Sequence, residues 1–314
     1  MMQFNVRPVN FESYIGQTNI KMNLKVMLAA SQKQHQPLKH MLFVGPTGVG
    51  KTSLAHLIKT VLQQKLLLLH GPNLQKPSDL ISCLMQVKAF NLVFIDEIHA
   101  ISREVAEILY PVLDDNCLNL LLGKDYNTKN VVLPLPFFTL LAATTLLYQV
   151  PQPLLNCFTT VFHFDEYTND DMQQILNNLF LKVGIKLQSA ELNFLACYSR
   201  NNPRAALKLF YRIYDYLLVT SQPVNLNFLQ EILINLKIYQ DGLDSREVNY
   251  LKKIYALFET QPVGLSTLSQ ILDEPLLTIT NNLEPFLIKK GYLIKTSRGR
   301  VLTSKTIEFL KNIA

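Results

Sequence analysis

No run in this 314-residue chain is long and apolar enough to suggest a membrane span. Stretches such as KLLLLH near residue 67 stop well short of the ~20 residues that cross a bilayer. The opening MMQFNVRPVNFESY lacks the basic-then-apolar layout of a signal peptide. Cysteine is scarce: Cys83, Cys117, Cys157 and Cys197 stand far apart, with no CxxC pair. That spacing speaks against a zinc site and for free thiols in a reducing cytosol, so a cytoplasmic location is expected. Charge is thin at 17 %, and residues 143–160, ATTLLYQVPQPLLNCFTT, carry none at all over 18 positions. No arginine occurs between Arg103 and Arg200.

What is present sets the positive bounds. Hydrophobic residues make up 48 % of the chain, enough to bury substantial cores, and the length suggests two or three domains. The formal net charge is +6, which by itself is a modest pointer to an anionic partner. Its distribution says more, because KKGYLIKTSRGRVLTSK at 289–305 holds six basic residues and no acidic one.

The first ~160 residues alternate short apolar runs with amphipathic segments. HMLFVGP (40–46), FNLVFIDE (90–97) and FTLLAAT within 131–145 read as buried strands of a parallel sheet. Helical segments between them predict a doubly wound α/β domain. From ~165 the pattern turns helical: DEYTNDDMQQILNNLF puts acidic and polar residues ahead of an apolar stripe, as helix starts require. SAELNFLACYSR and NPRAALKLFYRIYDYLL continue that spacing, and IYQDGLDSRE (238–247) reads as a hinge. Beyond it, LKKIYALF, LSTLSQIL and TITNNLEPFLIKKGYL form three helical segments. They are followed by two strand-like arms around SRG, the outline of a winged helix.

Gly45-Pro46-Thr47-Gly48-Val49-Gly50-Lys51-Thr52 satisfies GxxxxGK[ST], follows an apolar strand and precedes the helical run SLAHLIKTVL, a context that identifies a P-loop. Glycines let backbone N–H groups curl round phosphates, and the helix start adds a favourable dipole. Lys51 is placed to reach the β- and γ-phosphates of ATP, Thr52 to bind Mg²⁺, and Ser53 adjoins them. LVFIDE ends a buried strand in two carboxylates: Asp96 to hold Mg²⁺ through water, and Glu97 to polarise an attacking water. His99 reads as a local packing or hydrogen-bonding residue. AATT (142–145) ends another strand in hydroxyls, which makes Thr144 or Thr145 the candidate γ-phosphate sensor.

Taken in order, RPVNFESYIGQ (7–17), GPTGVGKTSLA, HGPNLQKPSDL (70–80), FIDEIHAISREVAEILYPVLDD (94–115), FTLLAATT and PVGLSTL (262–268) resemble the RuvB family, as do TITNNLEPFLIKKGYL and TSRGR. The resemblance runs nearly end to end. It implies an AAA+ P-loop domain at 1–163, a small all-α lid at 164–238 and a winged-helix DNA-binding domain at 239–314. The implied activity is an ATP- and Mg²⁺-dependent translocase that drives Holliday-junction branch migration in recombination and repair. Such a subunit works as a homo-hexameric ring on duplex DNA with RuvA, away from any membrane. By the same resemblance Tyr14 and Ile15 cradle adenine, and Arg204 reaches the γ-phosphate from the lid. The segment 118–136 is a β-hairpin that docks on RuvA, with Leu118, Leu120, Leu121 and Leu122 as an apolar patch. Arg298 and Arg300, flanking Gly299 on the wing, are expected to hold DNA phosphates without reading bases.

One departure stands out. The family places an arginine after the two threonines and an arginine–aspartate–arginine cluster further on, before a phenylalanine. Here those positions are Leu146, then Leu155, Asn156 and Cys157, ahead of Phe158. The first is taken as the arginine-finger position, whose loss removes ~10³–10⁵ in turnover unless another cation, such as Lys124 or Lys129, substitutes. Three readings follow: a working motor, an ATP-binding ring subunit with weak hydrolysis, and a clamp-loader-type AAA+ protein. The intact Glu97 favours the first over the second, and the EPFLI…GYL…RGR block argues against the third.

Overall fold

The computed structural model describes residues 7–122, 129–220 and 222–313, and of residues 121–122 and 129–130 the backbone alone. It divides into two compact units, Met1–Lys182 with Asn201–Arg204, and Val183–Arg200 with Ala205–Ala314.

In the first unit, α1 (Thr18–Gln34) leads to β1 (Met41–Val44), α2 (Lys51–Leu62), β2 (Leu66–His70), α3 (Pro77–Leu84), β3 (Leu92–Asp96) and α4 (Arg103–Asp115). A hairpin, β4 (Cys117–Leu122) and β5 (Lys129–Pro134), precedes β6 (Thr139–Thr144), α5 (Gln152–Asn156), β7 (Thr160–His163) and α6 (Asn169–Leu181). Five strands form one parallel sheet in the order β2-β3-β6-β1-β7. The central strands are apolar on both faces because both faces are covered. Leu42, Val93, Ile95, Leu140 and Ala142 pack with Leu80 and Leu84 of α3 and Leu109 and Val112 of α4. Met41, Phe43, Phe94, Leu141 and Ala143 are buried on the alternate positions, with α2 against β3 and β6. The KLLLLH run supplies β2, an edge strand whose Leu68 is half exposed. The acidic start before α6 works as the sequence implies: Thr168 and Asp171 form a reciprocal capping box.

The second unit holds α7 (Ser189–Cys197), most of α8 (Pro203–Thr220), α9 (Leu226–Asn235) and α10 (Ser245–Phe258). α11 (Leu265–Leu272), α12 (Leu276–Thr278), α13 (Glu284–Lys289), β8 (Leu293–Thr296), β9 (Gly299–Leu302) and α14 (Ser304–Asn312) complete it. A π-helical turn, Ile279–Leu283, joins α12 to α13. Pro285 accounts for it, having no N–H to give the carbonyl of Asn281 and a ring that crowds it. Helices α10 to α13 with the β8–β9 wing make a winged helix around Tyr250, Leu251, Leu287 and Tyr292.

The expected hinge at 238–247 is instead a packed turn inside this unit. Asp241 accepts from Tyr292 Oη (2.8 Å) and pairs with Lys305 (2.8 Å). Gly242 has φ 78°, and a β-carbon there would lie 2.4 Å from the Tyr198 carbonyl oxygen. Asp244 caps α10. Arg200 pairs with buried Glu247 and lies 3.7 Å from the Phe286 ring centre. Among the described residues no helix is long and apolar enough to cross a membrane.

Candidate functional site

The chain leaves β1 at Val44, turns through 45–50 and enters α2 at Lys51. Gly48 (φ 85°) and Gly50 (φ 103°) adopt the left-handed conformations that glycine permits. Neither position has room for a side chain: a β-carbon would lie 2.5 Å from Asn202 Oδ1 at Gly48 and 2.6 Å from Tyr14 Oη at Gly50. Three side chains hold the loop from outside. Tyr14 donates to the Gly50 carbonyl (3.2 Å), Tyr167 to that of Val49 (2.9 Å) and Asn202 to that of Thr47 (2.9 Å). Tyr14, expected beside adenine, is buried and serves as a strut of the loop, with Ile15 half-buried next to it. Burial pushes the Tyr14 hydroxyl well above its ordinary pKa, so it remains a donor.

Lys51 is 6 % exposed, and its ammonium donates to the carbonyls of Gly45 (2.6 Å) and Pro46 (2.9 Å). Burial lowers its pKa, the carboxylates of Glu97 and Asp96 oppose that, and Arg204 adds to it. A buried cation with one of its three donors unspent, in a glycine cradle, fits a bound polyphosphate. Thr52 Oγ1 lies 3.1 Å from Asp96 Oδ2, a pair of hard oxygens suited to Mg²⁺. Among the described residues no three His, Cys, Asp or Glu side chains cluster as a metal cage. Thr52 and Asp96 also border an open cleft of about 550 Å³, lined further by His70, Asp79, Cys83 and Phe94.

Beyond Asp96 the backbone turns sharply, with Glu97 at φ 52° and its N–H on Asp96 Oδ1 (3.1 Å). Gly71, just after β2, makes room for this turn: a β-carbon there would sit 2.1 Å from the Glu97 carbonyl oxygen. Thr145 donates to Glu97 Oε2 at 3.0 Å. His99 Nδ1 lies 3.2 Å from the same oxygen and 3.0 Å from Thr144 Oγ1, which also accepts the N–H of Leu146 (3.0 Å). The two threonines therefore differ in employment, Thr145 facing the acid pair and Thr144 fully buried at the end of β6. Arg204 is exposed in the first turn of α8, its N–H on Asn202 Oδ1 (2.9 Å).

The uncharged segment closes over the core. Leu146 is half-buried ahead of a single 3₁₀ turn, Leu147–Gln149, whose Tyr148 is 81 % exposed. Leu147, Leu155 and Cys157 pack on the hydrophobic cluster under α4, while Asn156 is exposed. Burial, with the Asp114 carboxylate beside it, pushes the Cys157 thiol up to about 11. Of the candidate substitute cations, Lys124 lies outside the described residues, and of Lys129 only the backbone is described. The β4–β5 hairpin is antiparallel, Cys117 opposite Pro134. Its expected apolar patch is smaller than the sequence implied. Leu118 is fully buried and Leu120 packs on the core, so neither forms an exposed face, while the side chains of Leu121 and Leu122 lie outside the described set. Among the described side chains of the stretch, Val132 is exposed.

The wing departs from expectation at one arginine. Arg298 is exposed at the turn between β8 and β9. Arg300 is 7 % exposed, and its guanidinium forks onto Glu284 Oε1 (2.7 Å) and Oε2 (3.1 Å). Tyr250 donates to the same carboxylate (2.9 Å). Arg300 is therefore not a phosphate contact. Gly299 begins β9 opposite Thr296, and a β-carbon there would meet the Val263 carbonyl oxygen at 2.3 Å. Lys295 of β8, paired in register with Arg300 but exposed, is a second basic residue of the wing beside Arg298.

Comparison with known proteins gives a consistent answer. Residues 6–164 match the family described as the Holliday junction DNA helicase RuvB P-loop domain, and 240–311 match the RuvB C-terminal winged helix domain. The chain is 37 % identical over 305 residues to the Holliday junction branch migration complex subunit RuvB of Mycoplasmopsis synoviae, covering 97 % of this chain and 96 % of the relative. It is 34 % identical over 312 residues to the corresponding subunit of Mycoplasma genitalium, covering 99 % and 100 %. Among solved structures, the Thermotoga maritima RuvB Holliday junction branch migration motor superposes with a TM-score of 0.82 at 31 % identity, covering 98 % of each chain.

Proposed function

The chain belongs to the RuvB family, and from that premise we propose how its residues perform ATP-dependent translocation in Holliday-junction branch migration. It is an ATP-binding AAA+ hydrolase with a C-terminal winged helix. The observation that carries the mechanism is the convergence of Lys51, the Thr52–Asp96 pair and Glu97 around one glycine cradle. In this reading the loop 45–50 and Ser53 bind the phosphates, and Lys51 exchanges its carbonyl partners for phosphate oxygens. Thr52 and Asp96 hold Mg²⁺, which when bound neutralises charge developing on the transferred phosphoryl group. Glu97, fixed at Oε2 by Thr145, offers Oε1 to the attacking water, and the products are ADP and phosphate. Arg204 supplies positive charge from the start of α8, and Tyr14 and Ile15 support the loop and the adenine.

We assign three domains, 1–163, 164–238 and 239–314, a division supported by matched families that leave the middle helices between them. Working partners in this reading are duplex DNA at a junction, five further copies in a ring, and a RuvA-like protein on the hairpin 118–136, all in the cytoplasm. Arg298 and Lys295 track the DNA backbone. Leu146, Leu155 and Cys157 leave the ring interface without its usual arginines, so basal turnover is weak for a P-loop motor. That specific observation favours, as a second reading, a subunit that binds ATP chiefly to assemble.

Steady-state ATP turnover of the purified chain, with junction DNA and RuvA, separates the two. Turnover of about 1 s⁻¹ or more, lost in Lys51→Ala, establishes the motor. Background turnover with tight ATP binding establishes the assembling subunit.

A further inference from the structure

We propose that His99 is a positioning residue that sets the orientation of the Glu97 carboxylate. The inference rests on the reading of Glu97 as the group that polarises water. His99 follows Glu97 by two residues, in the one-turn helix Ile98–Ala100, and both side chains are shielded, at 13 % and 22 % exposure. Its Nδ1 lies 3.2 Å from Glu97 Oε2 and 3.0 Å from Thr144 Oγ1.

The chemistry of the neighbours indicates which ring nitrogen carries the hydrogen. A carboxylate oxygen can only accept, so the ring nitrogen facing it must carry the hydrogen. Thr144 Oγ1 has two lone pairs and already accepts the N–H of Leu146 at 3.0 Å, leaving the second for the same imidazole hydrogen. Nδ1 is hydrogen-bonded to the hydroxyl and lies in close electrostatic contact with the carboxylate, 3.2 Å away. Oε2 accepts from Thr145 Oγ1 at 3.0 Å with the His99 nitrogen beside it, and among the described side chains none is bonded to Oε1. The carboxylate is held by one oxygen and presents the other. A packing histidine has no reason to aim Nδ1 at the carboxylate, and the backbone turn at Glu97 would place the acid without specifying its rotation. The Thr144 hydroxyl also ties Leu146, first of the positions where the resemblance places arginines, to the imidazole that orients Glu97.

Two measurements test this on the full chain. In the nucleotide-free protein, ¹⁵N spectroscopy of labelled histidine should show His99 as the Nδ1–H tautomer, whereas an Nε2–H tautomer overturns the proposal. His99→Asn places an amide nitrogen near the Nδ1 position, and His99→Leu fills the space without a donor. The Leu variant should lose about 10- to 100-fold in kcat through misorientation alone. Its affinity for a fluorescent, non-hydrolysed ATP analogue should stay within about twofold, and the Asn variant should recover most of the loss. Unchanged kcat in the Leu variant, or equal falls in both variants, would refute the positioning role. So would loss of analogue binding in a Leu variant that still melts like the parent. If the parent itself shows no turnover, the hydrolase reading fails, and the tautomer and the analogue affinities still decide His99.

Discussion

β1 and β6 run side by side in the sheet, with Val44 level with Thr144, yet the chain leaves them in opposite characters. From β1 it enters a glycine loop that ends in a buried cation and a hydroxyl beside Asp96. From β6 it spends two hydroxyls on Glu97 and His99 and then turns apolar, with Leu146, Leu155 and Cys157 where the family resemblance places arginines. The first exit, in the proposed reading, serves the nucleotide held by this subunit. The second, in the same reading, is the surface from which charge would reach a neighbour's nucleotide. If the proposed reading holds, a hydrolytic site keeps its own half complete while the half lent to a neighbour changes. The wing repeats the contrast on a smaller scale, with Arg298 turned to solvent and Arg300 turned inward onto Glu284.

The largest expected effect tests the first exit. Lys51→Ala should weaken ATP binding by ~100-fold or more, read by calorimetry, because the loop loses its only buried ammonium while its desolvated carbonyls remain. Retained tight binding would mean that the cradle does not hold phosphate and would dissolve the contrast. The second exit is tested by gain. Leu146→Arg, Leu155→Arg and Cys157→Arg together should raise turnover with junction DNA and RuvA, by at most ~10³-fold if one of them acts as a finger. The same triple change should cost about 1–3 kcal/mol in denaturant unfolding, since Leu155 and Cys157 pack on the core. No gain in a folded, ring-forming triple variant would show that the charge comes from elsewhere.

On the wing, Arg300→Ala should destabilise the second unit by about 3–5 kcal/mol, because it strands the Glu284 carboxylate in a buried site. A thermal midpoint equal to the parent's would return Arg300 to the list of surface residues. The smallest effect belongs to Arg298→Ala, with stability unchanged and duplex affinity reduced by about three- to tenfold. The slope of log affinity against log salt should fall by roughly one unit, as for loss of one phosphate contact.

These contrasts were unequally readable in the sequence. The P-loop and the acid pair were legible because each is contiguous and each ends an apolar strand, so local spacing alone fixes both. The placement of Arg300 was not, because it depends on a carboxylate sixteen residues away and on the approach of Val263. A signal did exist: strand periodicity puts Arg300 on the same face as buried Leu302, and Glu284 interrupts an apolar helical stripe between Leu283 and Leu287. The division of labour between Thr144 and Thr145 was left open because both end one strand, and only the turn at Leu146 separates them. IYQDGLDSRE read as a hinge through its polar residues and glycine, but Tyr292, Lys305 and the Tyr198 carbonyl, all distant in sequence, pack against it. Tyr14, Tyr167 and Asn202 act on the loop through its carbonyls, a role no side-chain pattern announces.

Gly71 offers no charge, hydroxyl or ring, yet the backbone at Glu97 exists in its left-handed form only because that spot is bare. The freedom of this chain to drift is therefore narrow at a place where chemistry gives no warning. A lineage that put alanine at 71 would have to rebuild the turn 70–73 and the acid pair in one step, so these two segments, about twenty-five positions apart, must change together or not at all.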